Sequence, residues 1–180
     1  MITLSACTGS PEDAKPAVTT PQADISGEWV VTRTVLTSND ATNPARVVGA
    51  ASVRYVLIDR DPCDEPLCEG TVSSGAGLDG REETELAQTD GGLDYEFSGT
   101  LDCMNATTGG VLAVDGFEFT QTATLAVGES ADVDGEPTAS TLVGTISYTD
   151  TVTAAALELG CTRDPATVTV EYAVAATRAP

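Results

Sequence analysis

Apolar and polar residues alternate with a period of two along much of the chain from residue 27 to residue 178, the repeat of extended strands whose side chains point to opposite faces in turn. The clearest run, 93–102, sets Leu93, Tyr95, Phe97 and Leu101 against Asp94, Glu96, Ser98, Thr100 and Asp102. By the same reading a strand at 27–37 puts Trp29, Val31, Arg33 and Val35 on one face. One at 116–127 groups Phe117, Phe119, Gln121, Ala123 and Leu125, and one at 167–178 groups Val168, Val170, Tyr172, Val174 and Arg178. Further strands are predicted at 51–60, 68–74, 81–88 and 139–152. In 51–60 the face holding Val53, Tyr55 and Leu57 opposes that holding Ser52, Arg54, Val56 and Ile58, and Tyr55 is expected to look inward.

Asp90-Gly91-Gly92 reads as a tight hairpin turn, because glycine accepts the positive φ such turns need. Longer connections are expected at 38–49, at 103–115 and in an acidic loop at 128–138. Residues 153–159 fit one or two helical turns ended by Gly160. Consecutive antiparallel strands with mostly short links make an all-β, eight-stranded up-and-down meander. Closing it into a barrel removes both exposed edges, and a β-sandwich is the alternative.

In such a meander alternate connections fall at opposite ends. The loops at 38–49, 75–80, 103–115 and 153–166 then ring one end, and the chain start and chain end share the other. Cys103 and Cys161 land at the same end, where they can be joined. Cys63 and Cys68 sit together at the opposite end across the turn Asp64-Glu65-Pro66-Leu67, so the expected pairs are Cys63 with Cys68 and Cys103 with Cys161.

Composition narrows the setting. The 180 residues hold 28 acidic against 8 basic side chains, a formal charge of −20, with one lysine, Lys15, and no histidine. A chain so acidic repels phosphate backbones, which argues against a nucleic-acid partner. Without histidine no Ser-His-Asp, Cys-His or histidine-metal constellation can be assembled, so neither an enzyme nor a cofactor is expected. The acidic groups at Asp59, Asp61, Asp64 and Glu65, and at Asp132, Asp134 and Glu136, lack the spacing of a calcium loop and read as solvated. Residues 8–24, with Pro11, Pro16 and Pro21 among small polar residues, have a linker composition, leaving 25–180 as one β-barrel domain.

Leu4-Ser5-Ala6-Cys7 resembles the lipobox of bacterial lipoproteins, in which the cysteine becomes the lipidated first residue. The resemblance implies a lipid anchor at Cys7, residues 1–7 as the remnant of a signal peptide, and an extracytoplasmic position on a cell membrane. Export would require a longer signal peptide than Met1 to Ala6 supplies. With Cys7 set aside, four cysteines remain, the number two disulfides need in an oxidising compartment.

Gly27-Glu28-Trp29 at the start of the first strand and Arg178 at the end of the last resemble the lipocalin and calycin group of ligand-binding barrels. There a tryptophan of the first strand closes the narrow end and an arginine of the last strand packs across it, which assigns barrel closure to Trp29 and Arg178. The resemblance implies a monomeric barrel that takes a small apolar or amphipathic ligand through the opposite end. Arg33, Tyr55, Phe97, Phe119, Gln121 and Tyr172 are its candidate contacts, and Arg33 is the one suited to an acidic group. A barrel filled by its own side chains, serving as a non-enzymatic envelope or protein-interaction module, is the other expectation.

Overall fold

The computed structural model describes residues 23–60, 69–75, 82–89 and 91–180. Cys7, the linker up to residue 22, and the expected Cys63–Cys68 pair lie outside the described residues. Eight strands follow one another: β1 (Gly27–Ser38), β2 (Ala51–Arg60), β3 (Gly70–Gly75), β4 (Glu82–Thr89), β5 (Gly92–Met104), β6 (Val111–Val133), β7 (Glu136–Val152) and β8 (Thr167–Arg178). A short helix, α1 (Ala154–Glu158), stands between the last two, and Gly160 ends its final turn at a φ of +85°. Every strand pairs antiparallel with its neighbours in sequence, and β1 also pairs with β8. The result is one sheet closed into a ring, so the sandwich alternative does not apply.

Ring closure fixes which residues face inward. Trp29 lies directly opposite Val56 on one side and Arg178 on the other. Directly opposed residues share a face, so a buried Trp29 brings Val56, Arg54 and Ser52 inside with it. The expectation for Tyr55 is therefore wrong. Tyr55 points outward and is 37% exposed, as is Val53 at 48%, while Val56 and Ile58 are buried.

The end from which the chain enters and leaves is closed by Trp29. Its ring is fully buried, and its indole Nε1 donates to the Ile25 carbonyl at 2.9 Å. Arg178 lies across it, the guanidinium carbon 5.1 Å from the ring centroid. That guanidinium also donates to the carbonyls of Ala139 and Asp24, each at 3.0 Å, and to that of Ser26. Gly27 makes room for it. A Cβ there would come within 2.9 Å of Arg178 Nη1, and the φ of +116° is one that side chains rarely adopt. Ala23 packs on the core and Asp24 bridges to Thr138, so these two residues, assigned to the linker by composition, are already held. Val31, Ile58, Val72, Leu93, Leu125 and Leu142 fill the interior next to this end.

Several boundaries differ from the alternation pattern. The acidic stretch 128–138 is not a loop, because β6 and β7 run on through it as a hairpin whose turn residues, Asp134 and Gly135, have φ of 54° and 90°. Two successive positive φ values suit an Asp-Gly turn, whose twist matches that of the flanking strands. The 103–115 loop shrinks because β5 extends to Met104 and β6 starts at Val111. An irregularity in pairing between Leu101 and Cys103 turns Cys103 inward, to 6% exposure, and leaves Leu101 at 45%. Cys103 is bonded to Cys161, and the pair sits with Ala113, Val152 and Ala156 in a small second core. Bridging residues 58 apart in sequence is worth about 4 kcal/mol in the chain-entropy account.

Replacing Arg178 by alanine should lower stability by about 2–4 kcal/mol, since several charge-assisted bonds to carbonyls and the indole contact go together. It should also shift the emission of Trp29, the single tryptophan, to longer wavelength. Urea unfolding followed by tryptophan fluorescence checks both.

Candidate functional site

At the end opposite Trp29 the ring encloses an open pocket of about 420 Å³, lined by side chains of all eight strands and of the first loop. Arg33 from β1 is among its most buried residues, only 9% exposed. It stands one inward position beyond Val31, and its guanidinium carbon lies 5.0 Å from the centroid of the Tyr172 ring on β8. Its Nη1 donates to Gln121 Oε1 at 3.2 Å and its Nη2 lies 3.5 Å from Ser52 Oγ. Its Nε has no hydrogen-bond partner among the described residues.

Phe97 of β5, buried at 6%, meets Tyr95 edge-on with ring centres 5.6 Å apart, and Tyr95 belongs to the core beneath. Phe119 of β6 stacks near-parallel on Tyr148 of β7, with centroids 6.2 Å apart and planes at 19°. Five of the six candidate contacts therefore line one pocket, namely Arg33, Phe97, Phe119, Gln121 and Tyr172, and Tyr55 alone does not.

Other lining residues were not anticipated from sequence. Arg54 and Ser52 reach the pocket by the β1–β2 register, and Ser74, Gly75 and Glu82 line the side formed by β3 and β4. Tyr148 and Arg46 complete the opposite wall, where the Arg46 guanidinium carbon lies 5.0 Å from the Tyr148 ring centroid. Arg46 belongs to the loop after β1 and is held down by an ion-pair knot. Its Nη2 is 3.1 Å from Asp150 Oδ2, and its Nη1 is 3.5 Å from Asp40 Oδ2.

Asp150, 2% exposed on β7, also pairs with Arg163 from the connection to β8 and accepts from the Tyr148 hydroxyl at 2.9 Å. Asp40 in turn accepts from the backbone amides of Thr42 and Asn43, both at 3.2 Å, and from the Thr42 hydroxyl at 2.8 Å. The knot pins two mouth loops to the end of β7. Its one readable trace in sequence is Asp150, an acid on the same face of its strand as Ile146, Tyr148 and Val152.

Protonation follows the surroundings. Burial lowers the pKa of Arg33, and the nearby Arg54 charge lowers it further. Burial pushes the Tyr95 hydroxyl up to about 12, and burial together with the bond to Asp150 does the same for Tyr148. For Asp40, burial works upward, but the hydrogen bonds from Thr42 and Asn43 and the Arg46 charge hold its pKa below the ordinary aspartate value. Asp132, Asp134 and Glu136 lie exposed at the tip of the β6–β7 hairpin, and Asp59 is exposed on β2. Asp61, Asp64 and Glu65 lie outside the described residues.

Compared with protein-family models, with curated proteins and with solved structures, the chain finds no match.

A phenol whose folded pKa lies above its unfolded value favours the fold below the unfolded value, near 10, and withdraws that support as pH rises towards 12. Ultraviolet titration should show Tyr95 and Tyr148 ionising near 12, and Tyr148→Phe should remove one of these late phenols. Ionisation of both at about 10 would contradict the burial and bonding described here.

Proposed function

We propose that this protein is an extracytoplasmic, membrane-tethered lipoprotein whose lipocalin-like barrel binds a small amphipathic molecule in the pocket opposite Trp29. The observation that carries the binding reading is Arg33, a cation nine-tenths buried among Phe97, Phe119, Tyr148 and Tyr172, whose hydrogen-bond partners are neutral and which has no carboxylate at ion-pair distance among the described residues. Burying a charge without a counter-charge costs several kcal/mol in a folded protein. A site that keeps one at the foot of an open aromatic pocket suits a ligand with both an apolar and a polar part. The volume supports a small guest, because about 420 Å³ lies near the lower end of the range typical of small-molecule sites.

The lipocalin-like reading is supported by Trp29 and Arg178, which meet at the closed end as the resemblance implied. The tether reading rests on the lipobox-like Leu4-Ser5-Ala6-Cys7 and the proline-rich segment after it, and the Cys103–Cys161 bond suits an oxidising compartment. A tether of about 16 residues in extended form spans roughly 50 Å. The chain enters the ring beside Trp29, so in this reading the closed end faces the membrane and the pocket opens away from it.

Native mass spectrometry of protein purified from its own host should reveal a co-purifying small molecule. Phe119→Asp, which puts a carboxylate into the pocket wall, should abolish that signal, whereas Thr120→Asp, on the exposed outer face, should leave it unchanged. Protein that carries no small molecule and takes up none in a ligand screen would favour the interaction-module alternative.

A further inference from the structure

The charge of the pocket runs against that of the chain. The protein carries −20, yet among the described residues the charged side chains lining the pocket are Arg33, Arg46, Arg54 and Glu82, three cations to one carboxylate. Arg46 is committed to Asp40 and Asp150. Arg33 and Arg54 have no carboxylate at ion-pair distance among the described residues. They are diagonal neighbours on the inner face of the β1–β2 pair, because Arg33 stands opposite Ser52 and Arg54 opposite Val31.

Two cations brought together by folding repel one another, and the Arg54 charge is among the causes that lower the pKa of Arg33. The Arg33 Nε donor is buried without a partner among the described residues, and a second donor reaches Ser52 only at 3.5 Å. A planar or tetrahedral oxyanion between the two guanidiniums would relieve the repulsion and accept these donors in the forked geometry that arginine offers. The stacked pair Phe119 and Tyr148 gives the pocket a flat apolar wall, with Phe97 buried beside it. The acidic exterior does not cancel this local field, since at physiological ionic strength exposed charges are screened beyond about 8 Å.

We infer that the pocket is an anion receptor, and that its ligand carries a carboxylate or phosphate held by Arg33 and Arg54 on a flat apolar body seated against Phe97, Phe119 and Tyr148. This inference rests on the reading of the pocket as a ligand site. It adds the sign of the ligand's charge and the residues that read it.

Calorimetric titration with three probes of one shape tests it: naphthoate, naphthyl phosphate and the neutral naphthamide. The wild-type protein should bind at least one of the two anions about tenfold or more tightly than the amide, the scale of a charge-assisted hydrogen bond gained. A preference for naphthoate assigns a carboxylate ligand, and a preference for naphthyl phosphate assigns a phosphate ester. Arg33→Met and Arg54→Met should each erase most of that preference while holding naphthamide affinity within about twofold, since methionine keeps the apolar contact. Equal binding of all three probes by the wild-type protein would overturn the anion receptor and leave the ligand pocket standing. Failure of all three to bind would overturn the pocket reading and this inference with it.

Discussion

The Arg178 guanidinium, spread over Trp29 and bonded to carbonyls at the mouth of the chain's entry, is the interaction from which the rest of the architecture follows. It ties the last strand to the first and to the segment before the first, so the sheet closes in one register. Because inward and outward positions alternate, that register decides the face of every residue on β1 and, by direct opposition, on β2. A slip of one residue would move Arg33 and Arg54 to solvent and bring Tyr55 inside. Filling the interior beside Trp29 with aliphatic side chains confines the remaining space to the other end, where the mouth loops meet.

Two buried polar clusters stand at that end, and they differ in a way that separates support from function. Around Asp150 the charges compensate: one carboxylate meets Arg46 and Arg163, and the Tyr148 hydroxyl donates to it as well. Breaking such a group by removing one partner leaves a bare charge and costs about 3–5 kcal/mol. Around Arg33 the described residues offer no counter-charge at ion-pair distance, for Gln121 and Ser52 are neutral and the nearby Arg54 has the same sign. The first cluster holds the loops in place. The second is a local cost to the empty fold, and such costs concentrate where proteins bind.

Much of this was legible in the sequence because period-two alternation is strong where one face of a strand is buried and the other is wet. The strands at 51–60 and 167–178 are found where alternation puts them, and the pairing of Cys103 with Cys161 follows from counting strand ends. Alternation fails where both faces are apolar. Residues 51–60 offer Val53, Tyr55 and Leu57 on one side and Val56 and Ile58 on the other, and only the register with Trp29 chooses between them. Charge misled at 128–138, where acidic side chains suggest a loop although Asp134-Gly135 is a hairpin turn. Arg46, Asp150 and Arg163 come from segments far apart in the chain and meet only once the ring has closed.

A buried Arg33 that is held for a ligand contributes nothing to the stability of the empty fold. Urea unfolding of ligand-free protein, wild type against Arg33→Met, tests this most directly. Exchanging a buried, uncompensated charge for an apolar chain of similar length should leave stability unchanged or raise it by about 1–4 kcal/mol. A loss of about 2 kcal/mol or more would mean that Arg33 is a structural member of the fold, bound into it as Asp150 is, and is not held for a ligand.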